Sequence, residues 1–448
     1  MFKRILIANR GEIAVRIIRA CKELGIESVS IYSTADKNSI HTKLSDKSIC
    51  IGAPPSSKSY LNIENIISAA QITGCDAIHP GYGFLAENSA FVNACQQNNI
   101  VFIGPPAEVI SMAGNKSKAI EIMSRNKIPV IPGSSGNVGN IKKALRLGKQ
   151  LGYPVIIKAS FGGGGKGMRI CNDKKGLITH FPLAKSESVS SFGNGDVYIE
   201  KYIPKPRHIE FQIIADNYGN ITCVGERECS IQRRHQKLIE ESPAVKLSPK
   251  TSMLMREFAV RAAKAINYKN IGTIEFLLDS QENFYFIEIN TRIQVEHPVT
   301  EMVTGIDLAR EQIKLAADQK IDNSSEKPKS SGHSIEFRIN AEDTDNNFKP
   351  CPGRIKDVFL PGGPGIRVDT FIHSGCEVSP FYDSLIAKLI VWDCTREEAI
   401  LKSQRALDEF KIEGIKTTIP FYKKIAQSKN FMEGNIHTHF IEEEIIGQ

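Results

Sequence analysis

I-E-I-N-T-R-I-Q-V-E-H-P, Ile287 to Pro298, is the stretch on which the reading of this chain turns. It opens as a strand, with Phe284, Phe286, Glu288 and Asn290 on one parity and Tyr285, Ile287 and Ile289 on the other. An acid among strand-forming apolar residues is strongly desolvated, and a buried carboxylate persists only when paired or bound to a cation. An amide, a guanidinium and a second acid follow at Asn290, Arg292 and Glu296. Just upstream, G-T-I-E-F-L-L (Gly272 to Leu278) reads as a strand and D-S-Q-E-N (Asp279 to Asn283) as its turn. Folding back around Gln281 and Glu282 places Glu275 opposite Glu288. Two facing carboxylates repel, so the pair predicts a divalent metal on oxygen ligands, with Asn290 as a third donor. Magnesium in such a setting keeps waters and bridges substrate phosphates. The alternative is an exposed hairpin with two solvated acids, and the apolar surroundings weigh against it.

The bulk numbers fit a globular protein. A chain of 448 residues is too long for one simple core, so about two to four sub-domains are expected. Hydrophobic residues make up 41% and charged ones 24%, and no apolar run is long enough for a membrane span. M-F-K-R-I-L-I-A-N-R leads straight into a strand rather than a signal peptide. The ten cysteines include no C-x-x-C pair, which fits buried thiols in a reducing compartment and not a zinc site. The expected location is the cytoplasm or the plastid stroma, not a secreted one. A net charge of +7, without Lys/Arg blocks interleaved with aromatics, gives no sign of nucleic acid.

R-I-L-I-A-N, E-I-A-V-R-I-I-R-A-C-K-E-L and S-V-S-I-Y-S alternate strand, helix and strand, which predicts a parallel α/β layer. Its first turn, Asn9 to Glu12, holds one glycine, where a dinucleotide fingerprint needs three. The loop H-P-G-Y-G-F-L-A-E-N, His79 to Asn88, lies at a strand's carboxyl end and reads equally as a ligand loop or a structural turn. A helix around Asn115 to Arg125 leads into a glycine-rich hinge and then a compact unit ending near Tyr202. The expected units are residues 1–112, a connecting helical segment 113–130, a lid 131–202 and a C-terminal region 203–448. Asp318 to His333 is polar and reads as an exposed loop.

Three further clusters carry chemistry. F-G-G-G-G-K-G-M-R, Phe161 to Arg169, lets backbone N–H groups approach phosphate oxygens, although its spacing is not that of a Walker loop. Between two strands it suits a flap over a nucleotide. E-R-E-C-S-I-Q-R-R-H-Q-K-L-I-E-E-S-P, Glu226 to Pro243, taken alone predicts a solvated charged loop. S-I-E-F-R-I-N-A-E-D, Ser334 to Asp343, sets Ile335, Phe337 and Ile339 on one face of a strand and Glu336, Arg338 and Asn340 on the other.

Along the chain the glycine flap, the basic loop, the acidic hairpin and the arginine strand follow in that order. Together they strongly resemble biotin carboxylase, the ATP-grasp component of biotin-dependent carboxylases, and the resemblance spans essentially the whole chain. It implies an α/β protein of ATP-grasp fold: a Rossmann-like N-terminal domain, a mobile α+β lid and a C-terminal mixed-sheet domain, with the ATP-grasp region at about 120–317. It further implies that Lys116, Lys158, Gly164 and Gly165 contact ATP phosphates, and that Glu200, Lys201 and Ile203 take the adenine. His208, Gln232 and His235 complete the nucleotide pocket. Glu275, Glu288 and Asn290 would hold Mg²⁺ or Mn²⁺. Lys237, Arg292, Gln294 and the backbone of Val295 would hold bicarbonate, Glu296 would be the general base, and Arg338 would stabilise the biotin enolate. ATP and bicarbonate are then substrates, together with biotin carried on another protein.

The resemblance also implies a homodimer working with a biotin carboxyl carrier protein and carboxyltransferase subunits. No biotinyl A-M-K-M motif is found before Gln448, which predicts a stand-alone subunit. Acetyl-CoA carboxylase, supplying malonyl-CoA for fatty acid synthesis, is the first expected setting. A split pyruvate or propionyl-CoA carboxylase is the alternative, followed by another ATP-grasp ligase.

Overall fold

Continuous apolar runs in the N-terminal region make strands that are covered on both faces, as parallel sheets require. The structure, a computed structural model, describes residues 1–134, 136–161, 167–322 and 329–446. Strands β1 (Arg4–Ile7), β2 (Glu27–Ser33), β3 (Lys47–Gly52), β4 (Ala77–His79) and β5 (Val101–Phe102) form a parallel sheet in the order β3-β2-β1-β4-β5. Ile5, Leu6 and Ile7 on its central strand are completely buried. The order reverses between β1 and β4, and there an open α/β sheet leaves a crevice at its strand ends. The turn Asn9–Glu12 and the loop 79–88 both emerge at that point. Asn9 Nδ2 ties them together, donating to the carbonyls of Pro80 and Tyr82 at 2.7 Å each. Gly81 has φ +62°, and a Cβ there would meet Asn9 Nδ2 at 2.9 Å, so this close approach requires glycine.

A small antiparallel sheet follows. Its central strand β6 (Val155–Ala159) lies between β7 (Arg169–Cys171) and β8 (Val197–Lys201). The helices Ile141–Leu151 and Lys174–Phe192 cover it, packing Ala144, Leu177 and Phe181 onto Val155, Ile157 and Ile199. The helix Lys116–Arg125 precedes this unit, and the Asn115 side chain caps it by accepting from Lys118 N. Gly164 and Gly165 of the glycine run lie outside the described residues, as does part of the polar segment 318–333.

The rest of the chain is organised by one eight-stranded sheet. Its members are β9 (Arg207–Ala215), β10 (Ile221–Arg233), β11 (Gln236–Ser242), β12 (Asn270–Leu278), β13 (Phe284–Asn290), β14 (His333–Asn340), β15 (Ile366–Thr370) and β16 (Leu385–Asp393). They run in the order β13-β12-β9-β10-β11-β14-β16-β15, with each neighbouring pair antiparallel. The segment 226–243 is therefore not the solvated loop that its charges predict. It is the β10–β11 hairpin, turning at Arg234 and His235 with φ of +50° and +65°. The charges mislead because partners on other segments satisfy them. Glu228 pairs with Arg207, Glu240 with Arg338, and Glu241 with Arg396 and His333.

The β12–β13 hairpin holds a second correction. Near its turn Leu278 faces Phe284 and Phe276 faces Phe286, but then the register shifts and Glu275 faces Glu288. The extra residue, Ile287, is a β-bulge. Unbroken parity would put Glu288 on the same face as Phe284 and Phe286, which belong to the hydrophobic core. The bulge moves Glu288 to the opposite face and lets Ile289 take the core position. The predicted pairing of the two acids holds, and the predicted alternation along the strand does not. Among the described residues no helix is long and apolar enough to cross a membrane.

Candidate active site

A cleft of about 570 Å³ opens where the switch point of the parallel sheet meets the polar face of the large sheet. Its walls include Asn9–Glu12, Tyr82, His235, Lys237, Glu275, Glu288, Asn290, Arg292, Gln294, Val295 and Arg338. Residues far apart in sequence converge because β9, β11, β12 and β14 each put apolar side chains into the core and polar ones toward the cleft.

Lys237 sits at the centre. Its Nζ donates to Glu210 at 2.6 Å, Glu275 at 2.8 Å and Glu296 at 2.7 Å. Burial opposes its charge, but the three carboxylates hold its pKa well above the usual lysine range. Glu296 is fully buried between two cations, with one oxygen on Lys237 and the other 2.9 Å from Arg338 Nη2. Burial pushes the Glu296 carboxyl up, Lys237 pulls it down, and the net shift is downward, so it is ionised at neutral pH. Arg338 also donates from Nε to Glu240 at 2.6 Å. Burial raises Glu240 to about 7 against the pull of Arg338. Beneath these groups Arg227 is completely buried. It bonds to Glu210, to Gln212 at 2.7 Å, to Thr300 at 3.0 Å and to Thr273 at 3.1 Å.

On the segment after β13, Arg292 Nε donates to Glu87 at 2.9 Å and its Nη1 to Gln294 at 2.9 Å. Asn290 Nδ2 and Gln294 Nε2 both donate to Glu275 Oε1, at 2.8 and 3.2 Å. Lys116 pairs with Glu288. Burial would raise Glu288, yet Lys116 holds it down to about 2. Glu275 also lies 2.9 Å from His208 Nε2. For a divalent cation the donor chemistry fits. Two ionised carboxylates face one another in register, an amide oxygen is near, and hard-oxygen ligands are what magnesium takes. The Asn290 amide has its nitrogen on Glu275 and its oxygen 3.5 Å from Arg292 Nη2. Among the described residues, two buried groups of three side chains can converge ligand atoms, His208/Glu210/Glu275 and Glu210/Cys229/Glu296, and neither contains Glu288.

Other residues predicted for the nucleotide extend from the β12–β13 hairpin toward the small sheet. Lys158 pairs with Glu200 at 2.7 Å, and Glu200 also acts electrostatically on Lys116. Gln232 is the register partner of Lys237 across the hairpin. Burial lowers the pKa of His235. Lys201 instead turns its ammonium to the carbonyls of Gly152 and Tyr153, at 2.9 and 3.2 Å. Ile203 is half-buried between β8 and β9.

Several residues of this network escape the sequence reading. Glu87 was hidden in the ambiguous loop 79–88. Glu210 and Gln212 share a parity with His208 along β9, where Ile209, Phe211 and Ile213 fill the core, so alternation alone could have marked them. Arg227 and Glu240 lay in the segment read as a loop.

Comparison with known proteins agrees with this geometry. Residues 1–110 match the model of the biotin carboxylase N-terminal domain, 115–324 that of the carbamoyl-phosphate synthase L chain ATP-binding domain, and 336–443 that of the biotin carboxylase C-terminal domain. Biotin carboxylase 1 of Bacillus subtilis is 52% identical over 443 residues, covering 99% of this chain and 98% of the relative. A biotin carboxylase–β-γ-ATP complex from Campylobacter jejuni superposes with a TM-score of 0.97 at 49% identity, covering 99% of both chains. The biotin carboxylase domain dimer of Hydrogenobacter thermophilus 2-oxoglutarate carboxylase, in complex with MgADP, ADP and bicarbonate, gives 0.96 at 48% identity over 99% and 98% of the two chains. With those motifs, that sheet topology and this full-length similarity, the chain belongs to the biotin carboxylase family, ATP-grasp ligases that carboxylate biotin using ATP.

Proposed function

We propose that the cleft brings bicarbonate and the γ-phosphate of ATP together over Lys237 and Glu296, and biotin beside Arg338. The observation that carries this reading is the single buried carboxylate of Glu296 held between Lys237 at 2.7 Å and Arg338 at 2.9 Å. Bicarbonate is a weak nucleophile and keeps its proton at neutral pH. Glu296, ionised in its place, is the acceptor. A depressed carboxylate is a poor base for so weak an acid, so the substrate side must close the gap. Lys237 and Arg292 beside a bound bicarbonate lower its proton affinity, in a setting where charges act strongly.

The deprotonated oxygen attacks the γ-phosphorus and ADP leaves, which gives carboxyphosphate. Lys116 and Lys158 offset the charge of the phosphates during transfer. Mg²⁺ or Mn²⁺ held by Glu275 and Glu288, with Asn290, supplies positive charge to the phosphate oxygens when bound. Carboxyphosphate then splits into carbon dioxide and phosphate, and the phosphate takes the ureido proton of biotin. Arg338, permanently charged and planar, stabilises the resulting enolate oxygen while the nitrogen attacks carbon dioxide. Glu200, Lys201 and Ile203 around adenine, with His208, Gln232, His235 and the loop of Gly164 and Gly165, complete the nucleotide site by resemblance to the family.

Biotin is placed on a separate carrier, and the acyl acceptor on carboxyltransferase subunits. Acetyl-CoA carboxylase is the first setting. The Hydrogenobacter relative favours a keto acid carboxylase as the second, and its dimeric structure supports a homodimer here. Purified chain given MgATP is expected to release ADP only when bicarbonate is present, and faster with free biotin. Stimulation by ammonia or an amino acid in place of bicarbonate would sink the reading in favour of another ATP-grasp ligase.

A further inference from the structure

Lys388 is fully buried on β16, and no step of the proposed reaction uses it. It is the register partner of Arg338 on β14 and of Asp369 on β15, so its side chain leaves the sheet on the same face as Arg338. Its Nζ donates to the carbonyl of Val295 at 2.9 Å. The same atom lies 3.2 Å from Glu12 Oε1 and 3.9 Å from Asp369 Oδ2. Glu12 in turn accepts from the hydroxyl of Tyr82. One ammonium thus joins the first turn after β1, the loop after β4 and the segment after β13.

The carbonyl it holds matters because of where it lies. Residues 291–296 belong to no strand or helix, so no ladder of backbone hydrogen bonds sets their conformation. The segment is pinned at its start by Glu87, which accepts from Thr291 N at 3.0 Å, and near its end by Lys388 on Val295 O. The Val295 carbonyl is part of the peptide unit that joins Val295 to Glu296, so its orientation sets the direction in which the Glu296 side chain departs. Burying an ammonium is unfavourable unless its partners offset the desolvation, and an apolar side chain of similar length would fill the same space without that penalty. A charge retained there and aimed at a loop carbonyl beside the reacting groups has the character of a supporting contact for a catalytic side chain.

We infer that Lys388 is a positioning residue, whose hydrogen bond to the Val295–Glu296 peptide keeps the Glu296 carboxylate between Lys237 and Arg338. Glu12 balances its charge and extends the link to the Tyr82 loop. The inference rests on the reading of Glu296 as the base, and the test separates the two. Lys388→Met, the double variant Lys388→Met/Glu12→Gln and Glu296→Gln are assayed with MgATP, bicarbonate and free biotin. A misplacement of about 1 Å can cost about 10²-fold in rate. Both Lys388 variants are therefore expected to lose at least about thirtyfold in kcat, with KM for ATP little changed because Lys388 touches none of the nucleotide groups.

If Lys388 serves only to neutralise buried Glu12, the double variant regains near-parental turnover, and the positioning role is overturned. Near-parental turnover of Glu296→Gln instead overturns the base reading. Amide hydrogen exchange on the same proteins addresses folding. The inference expects faster exchange confined to 291–297, whereas acceleration spread across β14 and β16 would mark Lys388 as a structural residue and overturn it.

Discussion

Glu296→Gln lowers biotin carboxylation by about 10²- to 10⁴-fold, the range a positioned proton acceptor contributes, and leaves ATP affinity unchanged. The surrounding contacts explain why such a variant keeps its fold. Lys237 retains Glu210 and Glu275, and Arg338 retains Glu240, so neither buried cation is stranded when the Glu296 charge is removed. Glutamine preserves the shape of the side chain and can still accept from Lys237. It cannot take a proton from bicarbonate. The residues proposed for the nucleotide phosphates, Lys116 and Lys158, pair with Glu288 and Glu200 and not with Glu296. Titration calorimetry with MgATP beside a carboxylation assay checks both halves. Loss of nucleotide affinity together with loss of activity would contradict the assigned role.

Arg338→Ala separates the two halves of the reaction. Removing one group that stabilises a developing oxyanion costs about 10²- to 10³-fold, so carboxylation of free biotin is expected to fall by that amount. Bicarbonate-dependent release of ADP should fall much less, because Arg338 is assigned to biotin and the groups proposed for bicarbonate, Lys237, Arg292 and Gln294, stay in place. The variant strands Glu240 in a buried place, but burial already raises that carboxyl to about 7. Without the arginine it is protonated and neutral, a form that the interior tolerates. The ratio of ADP formed to biotin carboxylated is the decisive quantity. A rise in that ratio supports the assignment to biotin, and equal loss of both activities argues against it.

The fold was legible in the N-terminal layer because parallel strands read as unbroken apolar runs, as in R-I-L-I. The β12–β13 hairpin was legible for a different reason: its turn is short, and counting outward around Gln281 and Glu282 pairs Glu275 with Glu288. That count is one residue off beside the turn, where Leu278 faces Phe284, and the bulge at Ile287 restores it; a bulge leaves no mark in the alternation until burial is known. The β10–β11 hairpin was misread because its charges look solvated when their partners are unknown. Arg207, Arg338 and Arg396, which neutralise Glu228, Glu240 and Glu241, are distant or unassigned in sequence. Glu210 and Arg227, the deepest charged groups beneath the cleft, were missed by the same logic. Alternation along β9 could have marked Glu210, but its partner Arg227 lies on another strand, so the pair itself shows only in the fold. Lys388 lies in a strand, L-I-A-K-L-I-V-W-D, where one lysine among apolar residues has no periodic signature.

In the proposed reaction bicarbonate, activated beside Glu296, is the nucleophile toward the γ-phosphorus of ATP. Attack through a bicarbonate oxygen, followed by cleavage of the carbon–oxygen bond of carboxyphosphate, leaves that oxygen on phosphate. Turnover of MgATP, biotin and ¹⁸O-labelled bicarbonate by the purified chain, with the phosphate analysed by mass spectrometry, tests this directly. One ¹⁸O atom is expected in each phosphate released. Phosphate that carries only oxygen from water or ATP would contradict it.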